Sequence, residues 1–549
     1  MTGRADGAFD RDTALARMSA ERFDVLVVGG GITGAGVALD AASRGLRTAL
    51  VERADFASGT SSQSSKLVHG GLRYLAQRDY GLVHQALAER RRLLANAPHL
   101  VRPLPFLYPA YGGRAASRAV GTALWMYDLA GGARIGRVHR RLPVDAATAH
   151  LPTLRTQGLA AGYLFYDAWA DDARLTLAVA RTAVLDHGAV AANYVAVTGL
   201  FRDGDGRVTG AAVRSGGDDL EVRAEVVVNA GGVWSDEVRA LEEGSTLGDG
   251  RIRPAKGIHV TVPADRLPTD LALVLPVPED GRSIFVVPWP GTGRVYVGTT
   301  DTDYDGPLDR PTCTADDVDY LLRAVNASVI GPLTRADVVG AWAGLRPLAA
   351  GAAGQTAGVG SRSADLSRRH RLSRSTGGVV SVTGGKLTTY RRMAADTVDQ
   401  VVEVLGRGGR TRTARLRLRG AGQVGRGGGA GAGHLEARYG AEAGAVRALV
   451  TADPDLGRPL VPSLPYLRAE AVHAVRAEMA RSVTDVLARR TRALILAGDA
   501  SAAAAGDVAR LLAPELGWTE AEAAAQAAAY RDLVAAERAG AGLPEASRK

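Results

Sequence analysis

Residues 23–52 read FDVLVVGGGITGAGVALDAASRGLRTALVE, and this stretch decides the fold. Val25 to Val28 form an uncharged run typical of a buried strand, and Thr48 to Val51 form a second one. The residues between these runs predict a helix that continues to about Ser43. A strand, a helix and a second strand in this order indicate a βαβ unit, and therefore a parallel sheet with helices packed on its faces.

Three glycines, Gly29, Gly31 and Gly34, lie between the first strand and the helix in the spacing GxGxxG. In a dinucleotide-binding unit the first glycine turns the chain, the second lets the backbone approach a pyrophosphate, and the third lets helix and strand pack closely. The helix N-terminus offers N–H groups and the positive end of its dipole to that diphosphate. Glu52 ends the second strand and is placed to bind a ribose hydroxyl.

The composition is that of a large globular protein with several domains. The chain has 549 residues, of which 46% are hydrophobic and 23% are charged, close to globular averages. Its net charge is +9, but no basic run is interleaved with aromatic residues, so we expect no nucleic-acid partner. The single cysteine, Cys313, excludes an intramolecular disulfide and a cysteine-based metal site, and we predict no bound metal. No segment has the roughly 20 apolar residues of a membrane-spanning helix, so we expect a cytoplasmic protein, soluble or peripheral to a membrane.

Lysine is rare in this chain, and its positions are informative. Only Lys66, Lys256, Lys386 and Lys549 are lysines among the 67 basic residues. Retention of three internal lysines suggests that those sites need a compact ammonium group, although chance in an Arg-rich composition is the alternative. Lys386 follows a predicted strand and two glycines and precedes a predicted helix, so we expect its ammonium group to face a negative charge.

Later segments complete the first sheet and add a second one. Glu225 to Asn229 and Val379 to Val382 are predicted to return to the nucleotide sheet. Three segments between them have the pattern of a separate antiparallel sheet: His259 to Pro263, Ser283 to Pro288 and Arg294 to Thr299. Pro98 to Pro109 is expected to be broken by its prolines, and Gly406 to Gly433 to be a flexible linker. Beyond the linker, Leu467 to Arg489 and Thr519 to Arg538 are predicted helices.

Further segments form a pattern that is more specific than the βαβ unit. They are DFAS (55–58), ASGTSSQSSKLVHGGLRYL (57–75), YDLAGG (127–132), ADDARLTLAVARTA (170–183), VVNAGGVWSD (227–236), RPAKGIHV (253–260), VGTTDTDYDGPLD (297–309), GLRPL (344–348), LSRRH (366–370) and VTGGKLTTYRRMAADTVD (382–399). Together they resemble the FAD-dependent glycerol-3-phosphate dehydrogenase family. The resemblance runs from about residue 23 to residue 400, and the helical tail is similar to that family's C-terminal domain.

The resemblance implies a fold class as well as an activity. The expected fold is α/β, with a Rossmann-like FAD-binding domain of the D-amino-acid-oxidase type, an inserted antiparallel-sheet substrate domain and a C-terminal helical domain. The implied domains are residues 20–100, 170–245 and 345–402 for FAD, 101–169 and 246–344 for substrate, 403–434 for a Gly/Arg-rich linker, and 435–540 for the helical domain. The implied cofactor is FAD, the substrate sn-glycerol 3-phosphate and the product dihydroxyacetone phosphate. The implied acceptor is the quinone pool, at the inner face of the cell membrane.

Oxidation of a secondary alcohol needs a base, and a phosphate needs cations that hold it. His69 is the base we predict, and His259 is the second candidate, because imidazole titrates near neutral pH. Lys386 is predicted to act in catalysis and in substrate binding. By the family pattern the other substrate-binding residues are Arg73, Tyr74, Arg346, Arg368 and Thr388. The implied cofactor-binding residues are Gly29, Gly31, Ile32, Thr33, Gly34, Glu52, Thr60, Ser61, Ser65, Gly70, Gly71, Gly231, Gly385 and Leu387.

Several alternatives stay open at this point. An oxidase of the same substrate would pass electrons to oxygen and release peroxide. An amine or amino-acid oxidase of the same fold would need carboxylate recognition and fewer cations suited to phosphate. A flavin-binding regulatory protein without turnover is the alternative from another class. Gln63 and Trp169 depart from the family pattern in the predicted substrate pocket, and the sequence does not determine the oligomeric state.

Overall fold

The computed structural model describes residues 9–71, 79–243, 252–278, 280–349, 369–422 and 433–544. Within these ranges the chain forms two sheets with helices packed around them, and a cluster of helices towards the C-terminus. The strands are β1 (Arg22–Val28), β2 (Thr48–Glu52), β3 (Leu67–Val68), β4 (Val101–Tyr111), β5 (Arg140–Leu142), β6 (Leu159–Ala170), β7 (Val190–Asn193), β8 (Ala196–Arg202), β9 (Val208–Ser215), β10 (Asp218–Asn229), β11 (Ile252–Pro263), β12 (Ala272–Pro276), β13 (Ser283–Trp289), β14 (Arg294–Gly298), β15 (Thr302–Asp303), β16 (Gly340–Ala349), β17 (Arg371–Arg374) and β18 (Val380–Thr383). The helices are α1 (Arg11–Ala20), α2 (Ile32–Ser43), α3 (Tyr80–Asn96), α4 (Gly113–Leu129), α5 (Val144–His150), α6 (Asp172–Leu185), α7 (Ser235–Glu243), α8 (Ala315–Asn326), α9 (Tyr390–Leu405), α10 (His434–Tyr439), α11 (Ala443–Ala452), α12 (Arg468–Glu478), α13 (Ala493–Leu496), α14 (Gly498–Leu516) and α15 (Glu520–Gly540).

The first sheet contains the βαβ unit that the sequence predicts. Its strand order is β17-β18-β10-β1-β2-β7, and every neighbouring pair from β18 to β7 is parallel. The predicted return of two later segments to this sheet is confirmed, because β10 pairs with β1 and β18 pairs with β10. Residues of β1 are buried almost throughout, as expected for a parallel strand covered on both faces. Helix α2 connects β1 to β2 and packs against α6 and α9.

The second sheet is mainly antiparallel, as the sequence predicts. Its strand order is β15-β11-β14-β13-β12-β4-β6-β3, with β16 paired to β11 and β5 paired to β6. The predicted segments lie in β11, β13 and β14, which are antiparallel neighbours. Strands of the first sheet come from residues 22–52, 190–229 and 371–383, whereas the second sheet takes its strands from 67–68, 101–170 and 252–349. Both sheets are therefore discontinuous in the sequence, and the division into domains with the bounds given above stays a prediction.

Strand β4 corrects the expectation that prolines break residues 98–109. It pairs with β6 continuously from Val101 to Ala110, although it contains Pro103, Pro105 and Pro109. Alternate residues of a strand direct their N–H groups to the same edge, so the three prolines lack donors on one edge only. On the edge away from β6, the partner β12 pairs with β4 only at two positions. The continuous pairing of β4 with β6 shows that the three prolines do not interrupt this ladder.

The C-terminal region is helical but is joined to the rest of the protein more tightly than a linker would allow. Residues 406–422 do not form a flexible linker: Thr411 and Thr413 donate hydrogen bonds to Asp40 at 2.6 and 2.8 Å, and Leu418 is buried. Residues 423–432 of the predicted linker lie outside the described ranges. The predicted helix 467–489 is interrupted, since α12 ends before Met479, which has a positive φ of 55°.

Among the helices of the described ranges, none is both long enough and apolar enough to cross a membrane.

Candidate functional site

A cavity of about 340 Å³ lies at the carboxyl edge of the first sheet. Its walls are the turns that follow β1, β10 and β18, together with the end of β2 and the loop after it. This is the edge at which open parallel sheets bind ligands, because successive strands end there in diverging turns. The predicted site residues that line the cavity are Gly29, Gly31, Ile32, Thr33, Glu52, Thr60, Ser61, Gly231, Gly385, Lys386 and Leu387.

The glycine turn has the shape that a dinucleotide needs. Gly29 has a φ of 110°, and a Cβ atom there would lie 2.6 Å from the Ala230 carbonyl oxygen. A Cβ atom on Gly31 would lie 3.1 Å from Ser61 Oγ and would narrow the cavity. Gly34 lies below the cavity, where a Cβ atom would overlap the Gly29 carbonyl oxygen. The turn therefore leaves room for a bound diphosphate at the N-terminus of α2, so the residues fit a dinucleotide such as FAD.

Glu52 ends β2 and lines the cavity, as predicted. Its two oxygens accept hydrogen bonds from the backbone N–H groups of Gly30 at 2.7 Å and Ala54 at 2.8 Å. Burial raises the pKa of Glu52 above its ordinary value, and these two N–H groups counteract the rise. Each carboxylate oxygen has a second lone pair, so Glu52 can also accept a ribose hydroxyl.

The loop of residues 53–66, here called the cofactor loop, joins the first sheet to the second. Ser61 Oγ accepts the backbone N–H of Ile32 at 2.8 Å, at the start of α2. Thr60 Oγ1 donates to the Leu345 carbonyl at 2.6 Å, on β16. Gly344 lies directly under Gln63, where a Cβ atom would overlap the Gln63 backbone. The loop therefore follows the surface of both sheets and covers one side of the cavity.

Lys386 lies in a turn with two glycines of positive φ, Gly384 at 74° and Gly385 at 78°. A short 3-10 turn (Leu387–Thr389) follows it and leads into α9. The ammonium nitrogen of Lys386 is buried, and the residue lines the cavity. The expected placement of Lys386 beside the nucleotide site is therefore observed, although its role in catalysis stays a prediction.

Thr388 connects this turn to the predicted base His69. The His69 N–H donates to Thr388 Oγ1 at 3.1 Å, and Thr388 Oγ1 lies 3.3 Å from the His69 carbonyl oxygen. Gly70 N–H donates to Tyr127 Oη at 3.0 Å, so the His69 turn is also fixed from the side of α4. The structure thus brings His69, Thr388 and Lys386 to adjoining positions. The residues that line the cavity do not include His69, Gly70, Gly71 or Thr388.

His259 is only 2% exposed and lies on β11 behind the cofactor loop. Its Nε2 is 2.8 Å from Ser65 Oγ, and its ring stacks on Trp342 with the centroids 4.6 Å apart. Burial lowers the pKa of His259 well below its ordinary value, and the nearby charges of Lys66 and Arg346 lower it further. The imidazole is therefore neutral at physiological pH, as a proton acceptor must be. Ser65, a predicted cofactor residue, contacts His259 and does not line the cavity.

Arg346 lies on β16, next to Pro347, which lines the cavity. Its Nη1 is 3.3 Å from Asp301 Oδ1, and its Nη2 donates to Thr299 Oγ1 at 3.0 Å. These bonds fix the direction of the guanidinium group. The other predicted phosphate ligands, Arg73, Tyr74 and Arg368, lie outside the described residues.

The two remaining internal lysines have structural partners. Lys66 is fully buried, where its Nζ lies 3.3 Å from Asp172 and 4.7 Å from the ring centroid of Trp342. Burial lowers the pKa of Lys66 to about 8. Lys256 donates to Asp317 at 2.6 Å, at the start of α8. Neither lysine lines the cavity, and at these two sites the ammonium group pairs with a carboxylate of the protein itself.

Sequence reasoning missed part of the cavity wall. Trp234 lines the cavity and stacks under Arg53, whose guanidinium carbon is 4.6 Å from the ring centroid. The segment 195–197 and Met393 also contribute. Trp234 could have been found, because it follows the Gly231-Gly232 turn in one of the family segments, whereas 195–197 has no local signal.

Comparisons with known proteins agree with this geometry. Residues 24–391 match the family described as FAD dependent oxidoreductase, and residues 394–523 match the C-terminal domain of alpha-glycerophosphate oxidase. Glycerol-3-phosphate dehydrogenase 2 of Mycobacterium tuberculosis is 42% identical over 97% of this chain and 91% of its own length. Probable mitochondrial glycerol-3-phosphate dehydrogenase of Caenorhabditis elegans is 37% identical over 94% of this chain and 73% of its own. The crystal structure of glycerol-3-phosphate dehydrogenase from Bacillus halodurans with FAD has a TM-score of 0.76 and 31% identity, and covers 98% of this chain and 99% of that one.

Proposed function

Because the chain belongs to the FAD-dependent glycerol-3-phosphate dehydrogenase family, we propose that it oxidises sn-glycerol 3-phosphate to dihydroxyacetone phosphate and passes the electrons to a membrane quinone. Its cofactor is FAD. The observation that supports the reaction best is the position of Lys386, a buried cation on the wall of a dinucleotide cavity and one turn away from the His69 contact.

The reaction removes a hydride from C2 of the substrate and a proton from its hydroxyl group. FAD, when bound, accepts the hydride. We propose His69 as the base for the hydroxyl proton, with His259 as the second candidate. Lys386 stabilises negative charge that develops beside the cofactor, and Thr388 holds the His69 turn in place. Arg346, oriented by Asp301 and Thr299, is our proposed phosphate ligand among the described residues, together with Arg73, Tyr74 and Arg368.

A peripheral position on the inner face of the membrane follows from the proposed quinone acceptor, and helix α4 supports it. The outward face of α4 and the segment after it expose four large apolar side chains: Trp125 at 57%, Met126 at 40%, Leu129 at 82% and Val138 at 49%. The only acidic residue between 113 and 142, Asp128, is buried. The same segment, residues 113–142, carries six exposed arginines: Arg114, Arg118, Arg134, Arg137, Arg140 and Arg141. Apolar groups bordered by cations match the interface of an anionic bilayer.

The inner face of α4 reaches the proposed substrate side of the protein. Tyr127 is buried and accepts the Gly70 N–H, next to His69, while its hydroxyl group donates to Asp167 at 2.7 Å. One helix thus exposes apolar and basic side chains to the surroundings and contacts the His69 turn. This arrangement favours a membrane quinone over oxygen as the acceptor.

Anaerobic titration of the purified holoenzyme with sn-glycerol 3-phosphate tests the proposal. We expect the flavin absorbance to bleach, and glycerol, which lacks the phosphate, to leave it unchanged. Reoxidation by a short-chain quinone analogue should then be faster than reoxidation by oxygen. Retained absorbance with FAD bound would support a regulatory flavoprotein without turnover. Stoichiometric peroxide, formed faster than reduced quinone, would instead identify an oxidase.

A further inference from the structure

The cofactor loop is held from behind by residues of the C-terminal helical region. Asp55, near the start of the loop, is fully buried. Its carboxylate accepts hydrogen bonds from Arg490 Nη1 at 2.7 Å and Nη2 at 2.9 Å, and from Arg489 Nε at 2.6 Å. Both arginines belong to a π-helical turn (Asp485–Arg490) that follows α12. This turn therefore contacts the loop that covers the FAD cavity, although more than 400 residues separate the two in sequence.

A second contact holds the other half of the loop. Arg492 is almost fully buried and donates from Nη2 to the Ser62 carbonyl oxygen, and its Nη2 lies 3.3 Å from Asp172. Lys66 reaches the same carbonyl at 3.2 Å and the same carboxylate group at 3.3 Å. Ser62 directly follows Thr60 and Ser61, which line the cavity. The loop is therefore bound at Asp55 and at Ser62, with the cavity-lining residues 58–61 in between.

The electrostatics agree with a rigid connection. Burial raises the pKa of Asp55, but the charges of Arg490 and Arg489 overcome this effect, so the net pKa is lower than the ordinary value. A buried carboxylate with bidentate arginine bonds has a fixed geometry, because each donor directs one oxygen. On the cavity side, Ser61 accepts the N–H of Ile32 at the beginning of α2, where the diphosphate is expected. A shift of the loop would therefore move Ser61 relative to the diphosphate site.

We propose that the C-terminal helical region positions the cofactor loop through Arg490–Asp55 and Arg492–Ser62, and that these contacts control how long FAD stays bound. Arg490 and Arg492 are thus positioning residues that act through Asp55 and Ser62. The inference rests on FAD occupying the cavity and is independent of the substrate and of the electron acceptor. It gives the C-terminal region a role in cofactor retention.

The test measures FAD release from purified holoenzyme by the rise in free-flavin fluorescence after dilution. The variants are Arg490→Gln, Asp55→Asn and the double variant, and Arg181→Gln is the matched control. Arg181 also pairs across the same interface, with Glu442 at 2.6 Å, but it does not contact the cofactor loop. We expect Arg490→Gln and Asp55→Asn each to speed release about tenfold, the double variant to be no faster than either, and Arg181→Gln to stay within about twofold of the wild type.

Apoprotein melting temperatures separate positioning from general stability. The proposal is overturned if Arg490→Gln and Arg181→Gln speed FAD release equally at equal losses of apoprotein melting temperature. If Arg490→Gln does not fold, Arg490→Lys keeps the charge but loses the bidentate bond. Hydrogen exchange of residues 55–64 in that variant should then be faster than in the wild type, and unchanged exchange would also contradict the proposal.

Discussion

At the scale of single residues, the three internal lysines show that the same side chain has different roles in different surroundings. Lys66 pairs with the buried carboxylate of Asp172 and Lys256 with the partly buried carboxylate of Asp317, whereas Lys386 lines the cofactor cavity. Their sequence contexts are alike, since each lies in a family segment. The partners Asp172 and Asp317 are 106 and 61 residues away, so no local pattern shows them. Only the turn around Lys386 could be predicted, because two glycines and a helix start are local features.

Substitution of Lys386 and of Lys256 by methionine tests this distinction. We expect Lys386→Met to slow anaerobic flavin reduction by about 100-fold or more, because it removes a cation beside developing charge. Lys256→Met should reduce flavin at the wild-type rate but lose about 1–2 kcal/mol of unfolding free energy, because the partly buried Asp317 carboxylate loses its ion pair. Stopped-flow absorbance and denaturant unfolding measure the two effects. Equal slowing of flavin reduction in both variants would contradict the assignment.

At the scale of secondary-structure elements, local patterns predicted what each segment is but not always what it contacts. The βαβ unit and the antiparallel strands β11, β13 and β14 were predictable, because apolar runs, alternation and glycine spacing are local. Strand β4 was not, because its prolines are tolerated only through the way its edges are paired. The prediction for residues 406–422 was also wrong. Their Gly/Arg composition indicates a linker, but Thr411 and Thr413 donate hydrogen bonds to Asp40, which lies on α2.

The exposed face of helix α4 leads to a testable prediction about membrane binding. We expect the double variant Trp125→Ser/Leu129→Ser to bind vesicles of anionic phosphatidylglycerol at least about tenfold more weakly, because it removes most of the exposed apolar surface of the helix. Cosedimentation with the vesicles measures the binding. Ile330→Ser is the control, because Ile330 is 59% exposed and belongs to another segment, where its N–H donates to the Thr153 carbonyl oxygen. If the double variant and the Ile330→Ser control lose vesicle binding equally, the assignment of α4 as the membrane-facing element is contradicted.

At the scale of the whole molecule, buried polar groups join the C-terminal helices to the two sheets. His99 is one such group: it is buried against Gly420 and Gly440, at the beginning of the C-terminal region. Burial lowers the pKa of His99 to about 4, and Arg174 and Arg102 lower it as well. Because the folded pKa lies below the unfolded value of about 6.5, the stabilisation is complete above pH 6.5 and is lost as the pH falls towards 4.

The melting temperature should therefore fall between pH 6.5 and pH 4.5 partly because His99 becomes protonated on unfolding. This histidine alone accounts for a loss of up to about 1.4 kcal/mol per pH unit in that window. We expect His99→Gln to have a flatter profile of melting temperature against pH than the wild type. Calorimetry at four pH values from 7.5 to 4.5 measures both profiles, and parallel curves would show that His99 does not contribute.

The cavity wall also has a consequence for how the protein is made. The turn after β1 and the turn after β18 border one cavity, but a ribosome that adds about 5–20 residues per second needs roughly 20–70 s to proceed from Gly29 to Lys386. During this interval the nascent chain carries β1 and β2 with an unfinished sheet edge, which is prone to aggregate. We therefore expect flavin to be captured only after Lys386 has left the ribosome, when about 70% of the 549 residues have been added.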